Sequence, residues 1–140
     1  MKTSVSGQGK CSSGPSGGIT CLIPIKFPSL NEYVDACRAN RFYAAKIKKD
    51  LESTVSLFLR RLPRFHRVTI HFHWIEENKR RDYDNIAFAK KFILDALVKS
   101  GKLEDDNRKC VTGFTDTFAY GKKTACQITI TEVRNGTDTA

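Results

Sequence analysis

The chain has 140 residues, of which 40% are hydrophobic, and this suits one globular domain with a sizeable core. Its 24 lysines and arginines outnumber 15 aspartates and glutamates, so the formal net charge is +9. That surplus favours a polyanionic partner, nucleic acid before membrane, because no apolar run approaches the ~20 residues of a membrane span.

Both ends of the chain are expected to lie outside the folded domain. Residues 1–18 are rich in Ser and Gly and bury too little apolar surface to order themselves, so they are predicted to form a flexible leader. Residues 135–140 are predicted to be a frayed C-terminus, which leaves 19–134 as the domain.

The first half of the domain predicts a strand followed by helices. The run ITCLIPIKF, from Ile19, reads as a strand in which Pro24 indicates an edge position or a bulge. A turn follows, and Asn31 can cap a short helix. Between Arg41 and Leu62, apolar residues recur every three or four positions, which predicts a long amphipathic helix. These apolar residues are Ala44, Ile47, Leu51, Val55, Phe58 and Leu62.

The polar side of this helical region is strongly cationic. Its basic residues, set against only Asp50 and Glu52, are Arg38, Arg41, Lys46, Lys48, Lys49, Arg60, Arg61, Arg64 and Arg67. Two interpretations stay open: a solvated helix face, or a ridge that contacts phosphates and whose binding falls steeply with salt.

The clearest strand is predicted from Arg67 to Ile75, because apolar and polar residues alternate there. Its apolar positions are Val68, Ile70, Phe72 and Trp74. His71 and His73 share the opposite face. Such a pair could bind a transition metal, but it is more typical of a polar sheet surface.

The second half predicts a helix and a hairpin around an acidic segment. Asp82 and Asp84 precede a helix expected from Asn85 to about Ser100, with Gly101 as its left-handed C-cap. After the loop KLEDDNRK, two strands are predicted to form a β-hairpin around residues 120–123. The expected fold is α+β: a small mixed sheet with two main helices packed on one side.

The carboxylates suggest a metal site. Asp82 and Asp84 are two apart and point to one face in extended backbone. A helix of ~15 residues runs ~22 Å, so Asp106, the second acid of the pair at 105–106, meets Asp84 only if the loop folds back or a second subunit supplies it. Three carboxylates would suit Mg²⁺ or Mn²⁺, which activate water and neutralise charge on a phosphate. Lys91 lies two helical turns beyond Asp84 on the same face, whereas Lys90 is rotated away.

Other readings of these residues stay open. Aspartate at a helix start is ordinary capping, and Lys91 with Asp95 could be a simple surface pair four residues apart.

The order RRDYDN, KKFILDAL, SG and LEDD resembles the RusA-type Holliday junction resolvases. The resemblance runs from about Leu22 to Val133 and includes PSLN at residues 28–31. It implies an α+β homodimer that binds four-way DNA junctions and cuts paired strands symmetrically with Mg²⁺, for which Mn²⁺ can substitute. The family's catalytic aspartates, the metal ligands, fall on Asp82, Asp84 and Asp106.

In this chain the helix is about three residues longer between DN and DAL than in the family. Counted back from DAL, the family's essential lysine falls on Lys91, whereas counting forward from DN leads to a position near Phe88, which cannot serve. Lys91 is therefore the first choice and Lys90 the second. We expect the DNA backbone to be contacted by Lys79, Arg80, Arg81, Lys90, Arg41, Lys46 and Lys49.

The five scattered cysteines contain no CxxC pair, which indicates reduced thiols in a cytosolic protein. The resemblance implies a bacterial cell, with the gene carried by the bacterium, a phage or a prophage. The rival hypotheses are a junction-binding protein without catalysis and a nuclease acting more broadly on branched DNA.

Overall fold

The computed structural model describes residues 18–133 and the backbone of Cys11–Ser13. In chain order the elements are β1 Cys11–Ser13, β2 Ile19–Ile23, α1 Leu30–Ala39, α2 Arg41–Leu59, β3 Val68–Glu76, α3 Tyr83–Ala87, α4 Lys90–Lys99, β4 Val111–Tyr120 and β5 Ala125–Glu132. The predicted α+β class with a mixed sheet is confirmed. Within the described residues, no helix has the length and apolar character needed to cross a membrane.

The five strands form one sheet in the order β1-β2-β5-β3-β4. Strands β3 and β4 run parallel, and every other neighbouring pair is antiparallel. The predicted hairpin is therefore wrong, because β4 and β5 lie on opposite sides of β3. Their connection passes over the end of β3, where the Gly121 N–H donates to the Glu76 carbonyl at 2.9 Å. A side chain at Gly121 would come within 2.9 Å of Ile75, so this crossing favours glycine.

Part of the predicted leader is ordered. Cys11–Ser13 pairs antiparallel with β2, Cys11 facing Cys21 and Ser13 facing Ile19. A Ser-rich segment can form this strand because an open sheet edge offers backbone hydrogen bonds that need no buried side chain. The rest of the leader, 1–10 and 14–17, and the predicted C-terminal tail lie outside the described residues.

The core forms between the helices and one face of the sheet. The predicted alternation of β3 is confirmed: its apolar residues are buried in one cluster with side chains of α2 and α4. From α2 the cluster takes Val55 and Leu59, and from α4 it takes Phe92, Ile93 and Leu97. On the other face of β3, His71 and His73 hydrogen-bond to threonines of β4, so they form a polar sheet surface.

The N-cap of helix α1 lies two residues before the predicted one. Ser29, not Asn31, is the N-cap: its hydroxyl accepts the Glu32 N–H at 3.1 Å, and the Glu32 carboxylate accepts the Ser29 N–H at 2.8 Å. This reciprocal pair satisfies two amides that the first helical turn would leave unbonded. Asn31 lies inside the helix.

The predicted single helix from Asn85 is two helices. Between α3 and α4, the amides of Lys91 and Phe92 donate to carbonyls three residues back, which tightens the chain locally. At the far end of α4 the prediction of Gly101 is confirmed, with a φ of 80°. The Gly101 N–H donates to the Val98 carbonyl at 3.1 Å and the Lys102 N–H to the Leu97 carbonyl at 2.9 Å, which completes a Schellman turn.

Candidate functional site

The loop after α4 returns to the start of that helix within one chain. Lys91 is the second residue of α4, and its Nζ lies 3.2 Å from Oδ2 of Asp106. The Gly101 turn reverses the chain, and Asp105 accepts the backbone N–H of Asp106 at 2.7 Å. The loop therefore folds back within one chain to the start of α4 and brings Asp106 to Lys91. The meeting of Asp106 with Asp84 stays a prediction.

Lys91 belongs to a chain of ion pairs that joins α4 to α2. Its Nζ lies 3.1 Å from Asp95, whose other partner is Lys48 of α2 at 3.2 Å. Lys48 also lies 3.2 Å from Glu52, which is buried and pairs in addition with Lys99. The pair between Lys91 and Asp95 is thus more than an isolated surface contact, because it continues into the interface between the two main helices.

These contacts favour the charged forms of both groups. The hydrogen bond to Asp95, followed by that to Asp106, raises the pKa of Lys91 despite its partial desolvation. Burial opposes ionisation of Asp95, but hydrogen bonds from Lys91 and Lys48 outweigh it and lower the pKa of that carboxyl. Lys91 is accordingly held as a fixed cation beside Asp106 at neutral pH.

Asp82 and Asp84 are both exposed at the start of α3. Asp82 is the N-cap residue but makes no side-chain capping bond, and Asp84 accepts the Asn85 N–H at 3.0 Å. The Asn85 side chain accepts the Asn31 N–H at 3.2 Å, which ties this segment to α1. In the part of the chain that the structure describes, no group of three or more His, Cys, Asp or Glu side chains is arranged to hold a metal ion. Asp106 is brought to Lys91, but the three predicted ligands do not form a ready-made ligand set.

Lys90, the second candidate for the lysine, is engaged elsewhere. Its Nζ lies 2.6 Å from Asp116 of β4 and 4.1 Å from the centre of the Phe114 ring, and only 15% of its side chain is exposed. Asp116 also accepts the Trp74 indole N–H at 2.8 Å. Lys90 therefore fixes the start of α4 to the sheet edge, while Lys91 faces Asp106.

Two acidic residues were not identified from the sequence, one that is held by specific partners in the structure and one that is buried. Asp116 could have been found, because it is a lone acid among the alternating aromatic residues of β4, and a polar group at such a position needs a partner. Glu76 ends β3 and is buried; burial raises the pKa of this carboxyl, while the charges of Arg81 and Lys26 oppose that effect.

The predicted DNA-contacting cations fall into two groups. Arg81 is only 18% exposed: it donates to the Phe27 carbonyl at 2.8 Å and to Glu32 at 2.9 Å, so it links the acidic segment to α1. Lys46 pairs with Asp50 at 3.0 Å in an exposed contact of four-residue spacing. The remaining exposed cations of the set are Lys79, Arg80, Arg41 and Lys49.

A comparison of the chain with models of known protein families found no match, and none of the curated proteins matches it.

Proposed function

We propose that this protein is a metal-dependent, structure-selective endonuclease that resolves four-way DNA junctions, as its resemblance to the RusA-type resolvases implies. The observation that carries the proposal is the contact between Lys91 and Asp106, 3.2 Å apart. The two residues are 15 apart in sequence. The resemblance assigns Lys91 through the motif KKFILDAL and Asp106 through the motif LEDD. If the resemblance were due to chance, nothing would require these two residues to be in contact.

The predicted ligands Asp82, Asp84 and Asp106 suit a hard divalent cation because they are carboxylates, although they are not already arranged around one ion position. Asp82 and Asp84 are exposed, and Asp106 is half-buried, so all three offer carboxylate oxygens of the type that Mg²⁺ and Mn²⁺ prefer. A bound ion would supply an activated water and would neutralise charge on the phosphate. These three residues would hold it.

Lys91 is assigned the stabilisation of charge that develops on the scissile phosphate. A preformed cation at a reacting phosphate stabilises the transition state without reorganisation at the moment of reaction. Asp95 and Asp106 fix the position of the ammonium group, and 59% of the Lys91 side chain is exposed, so a DNA strand can reach it.

Binding of DNA is assigned to the exposed cations around this site. Arg80 adjoins the acidic segment, and Lys79, Arg41 and Lys49 are also exposed. Contacts of this kind position the backbone without reading sequence, which is consistent with recognition of a branched shape. A symmetric homodimer in the bacterial cytoplasm would place two such sites on the near two-fold symmetry of a junction.

The proposal is tested with a labelled four-way junction, a fork and a linear duplex, each incubated in Mg²⁺, in Mn²⁺ and in EDTA. We expect paired symmetric nicks in the junction from the wild type with metal only, and binding without nicks from Asp82→Asn. If the wild type binds the junction but cuts it with neither metal, the protein is a junction-binding module. Equal cutting of the fork would indicate a nuclease of broader range on branched DNA.

A further inference from the structure

A row of aromatic side chains follows the outer strand of the sheet next to the acidic segment. Within the described residues, β4 pairs only with β3 and so forms an edge. Alternate residues of β4 point to one face. On the face that the helices share, these include Phe114, Phe118 and Tyr120, and Tyr83 of α3 stacks on Phe118 with 4.1 Å between ring centres and 15° between planes. We call these four residues the aromatic row.

Much of the aromatic row is open to solvent. Tyr83 is 59% exposed, Tyr120 51% and Phe114 50%, although the neighbouring strand β3 has the same face buried under helices. Helices α3 and α4 therefore cover β3 and contact the edge strand through Tyr83 and Lys90, but they leave Phe114 and Tyr120 about half exposed. On this face Asp116, paired with Lys90, lies between Phe114 and Phe118. A cluster of exposed aromatic side chains marks a binding site more often than isolated exposed residues do.

Lysines accompany the rings. Lys79 Nζ lies 5.4 Å from the centre of the Tyr120 ring, and Lys90 Nζ lies 4.1 Å from that of Phe114. Surfaces that bind nucleic-acid strands combine rings, which take the bases, with cations, which take the phosphates. Lys79 is exposed for that role, whereas Lys90 is held by Asp116.

The surroundings of the row are basic as well. Lys79, Arg80, Lys122 and Lys123 are exposed in the two loops that flank Tyr120, against the exposed acids Glu77 and Asp82. Cations therefore outnumber acids in these two loops, and a second copy of this chain docked there would bring that excess of like charge together. A polyanion would neutralise it, so charge complementarity selects nucleic acid as the occupant.

We propose that the aromatic row binds unpaired nucleobases of a DNA strand by stacking, with Lys79 and its neighbours on the phosphates. Tyr83 stands between Asp82 and Asp84, so a base stacked on its ring would place its own phosphodiester beside the acidic segment. The inference rests on the proposed function for the choice of DNA as ligand. It concerns binding, however, and a binding measurement in EDTA stays interpretable if the protein cuts nothing.

The experiment compares two short oligonucleotides of equal length and equal phosphate number, oligodeoxythymidylate and its abasic counterpart. Both carry a fluorescent label and are titrated in EDTA by fluorescence anisotropy. Because stacking on aromatic side chains strengthens binding at each base, we expect the wild type to bind the thymidylate roughly 5- to 100-fold more tightly than the abasic strand.

Variants then assign that preference to the row. Tyr83→Ala and Tyr120→Ala should each reduce the preference by roughly fivefold or more, whereas Tyr83→Phe should keep it, since the ring is retained. Phe42→Ala is the matched control, because Phe42 is 78% exposed on α2 and Arg41 lies over its ring. Thermal unfolding and sedimentation of each variant accompany the titrations.

Three results would overturn the proposal. The wild type could bind both oligonucleotides equally, a comparison that requires no variant to fold. The double variant Tyr83→Ala/Tyr120→Ala could be folded and keep the full preference. The same double variant could lose an oligomer of the wild type while its preference stays, in which case the row is a contact between subunits.

Discussion

At the scale of single residues, Lys90 and Lys91 are neighbours in sequence with different surroundings. Lys91 is exposed beside Asp106, and Lys90 is held by Asp116. We predict that Lys91→Met lowers the rate of junction cleavage by about 10²- to 10³-fold, as the loss of one transition-state stabilising group does elsewhere. Junction affinity in EDTA should change little. Single-turnover cleavage and anisotropy measure the two effects.

Lys90→Met provides the contrast. It leaves the Asp116 carboxylate without its cation in a half-buried position, so the free energy of unfolding should fall by about 1–3 kcal/mol. Denaturant unfolding measures this loss. The assignment of the two lysines would be reversed if Lys90→Met were stable but inactive while Lys91→Met cut normally.

Asp95 gives a pH-dependent prediction at the same scale. Its pKa is lowered in the folded protein by hydrogen bonds from Lys91 and Lys48, so its contribution to stability is present above the pKa of the unfolded chain. That contribution is lost as the pH falls through the folded-state pKa. Asp95→Asn should therefore lower the free energy of unfolding by roughly 1 kcal/mol near pH 7.

The difference between wild type and Asp95→Asn should shrink as the pH falls below about 4, where carboxyls become protonated. Urea titrations at a series of pH values measure it. A difference that stays constant into acid would mean that the carboxylate charge contributes nothing and that only side-chain packing was changed.

At the scale of elements, the turn that ends α4 depends on backbone conformation alone. Gly101 has a φ of 80°, and a Cβ there would meet no atom within 4 Å. Gly101→Ala should thus lower the free energy of unfolding by about 1–2 kcal/mol, the cost of left-handed backbone for a residue with a side chain. Gly113→Ala is the matched control, because its added Cβ also meets nothing within 4 Å and its φ is not positive.

Thermal and denaturant unfolding distinguish the two glycine variants. We expect Gly113→Ala to be neutral or slightly stabilising within its strand, since alanine restricts the unfolded chain more than glycine does. Equal losses for both variants would mean that strain at the turn is not the cause.

The elements also separate what the sequence could predict from what it could not. The alternation in β3 and the spacing in α2 record which face is buried, so both elements were predicted, as was Gly101. Helix α2 nevertheless ends at Leu59, before the predicted Leu62. The pairing of β4 and β5 with β3, rather than with each other, was not predictable in this way, because an alternating pattern identifies a buried face but not the neighbouring strand. The contact of Asp116 with Lys90 depends on that position of β4, and the contact of Asp106 with Lys91 depends on the path of the loop after α4, which spacing along the chain does not determine.

At the scale of the whole molecule, the net charge of +9 becomes a distribution of paired and exposed cations. Arg81, Lys46 and Lys90 pair within the fold, so they contribute less to DNA binding than their number suggests. Lys79 and Arg80 are exposed beside the acidic segment and remain available. The charge that acts on DNA is therefore smaller and more localised than the composition indicates.

This distribution predicts how affinity depends on salt. Each phosphate contact contributes roughly 0.9 to the slope of log affinity against log salt for duplex DNA. Lys79→Ala/Arg80→Ala should reduce that slope by about 2 and weaken binding to all DNA shapes alike.

A second double variant, Arg41→Ala/Lys49→Ala, tests the two interpretations of the α2 surface. A similar fall in the slope would show that α2 contacts phosphates, and an unchanged slope would show that its cations face solvent. Anisotropy titrations in EDTA over a range of salt concentrations provide the slopes. An unchanged slope in Lys79→Ala/Arg80→Ala would mean that DNA does not approach through the loop before Asp82, and the proposed site would then lack its adjoining contacts.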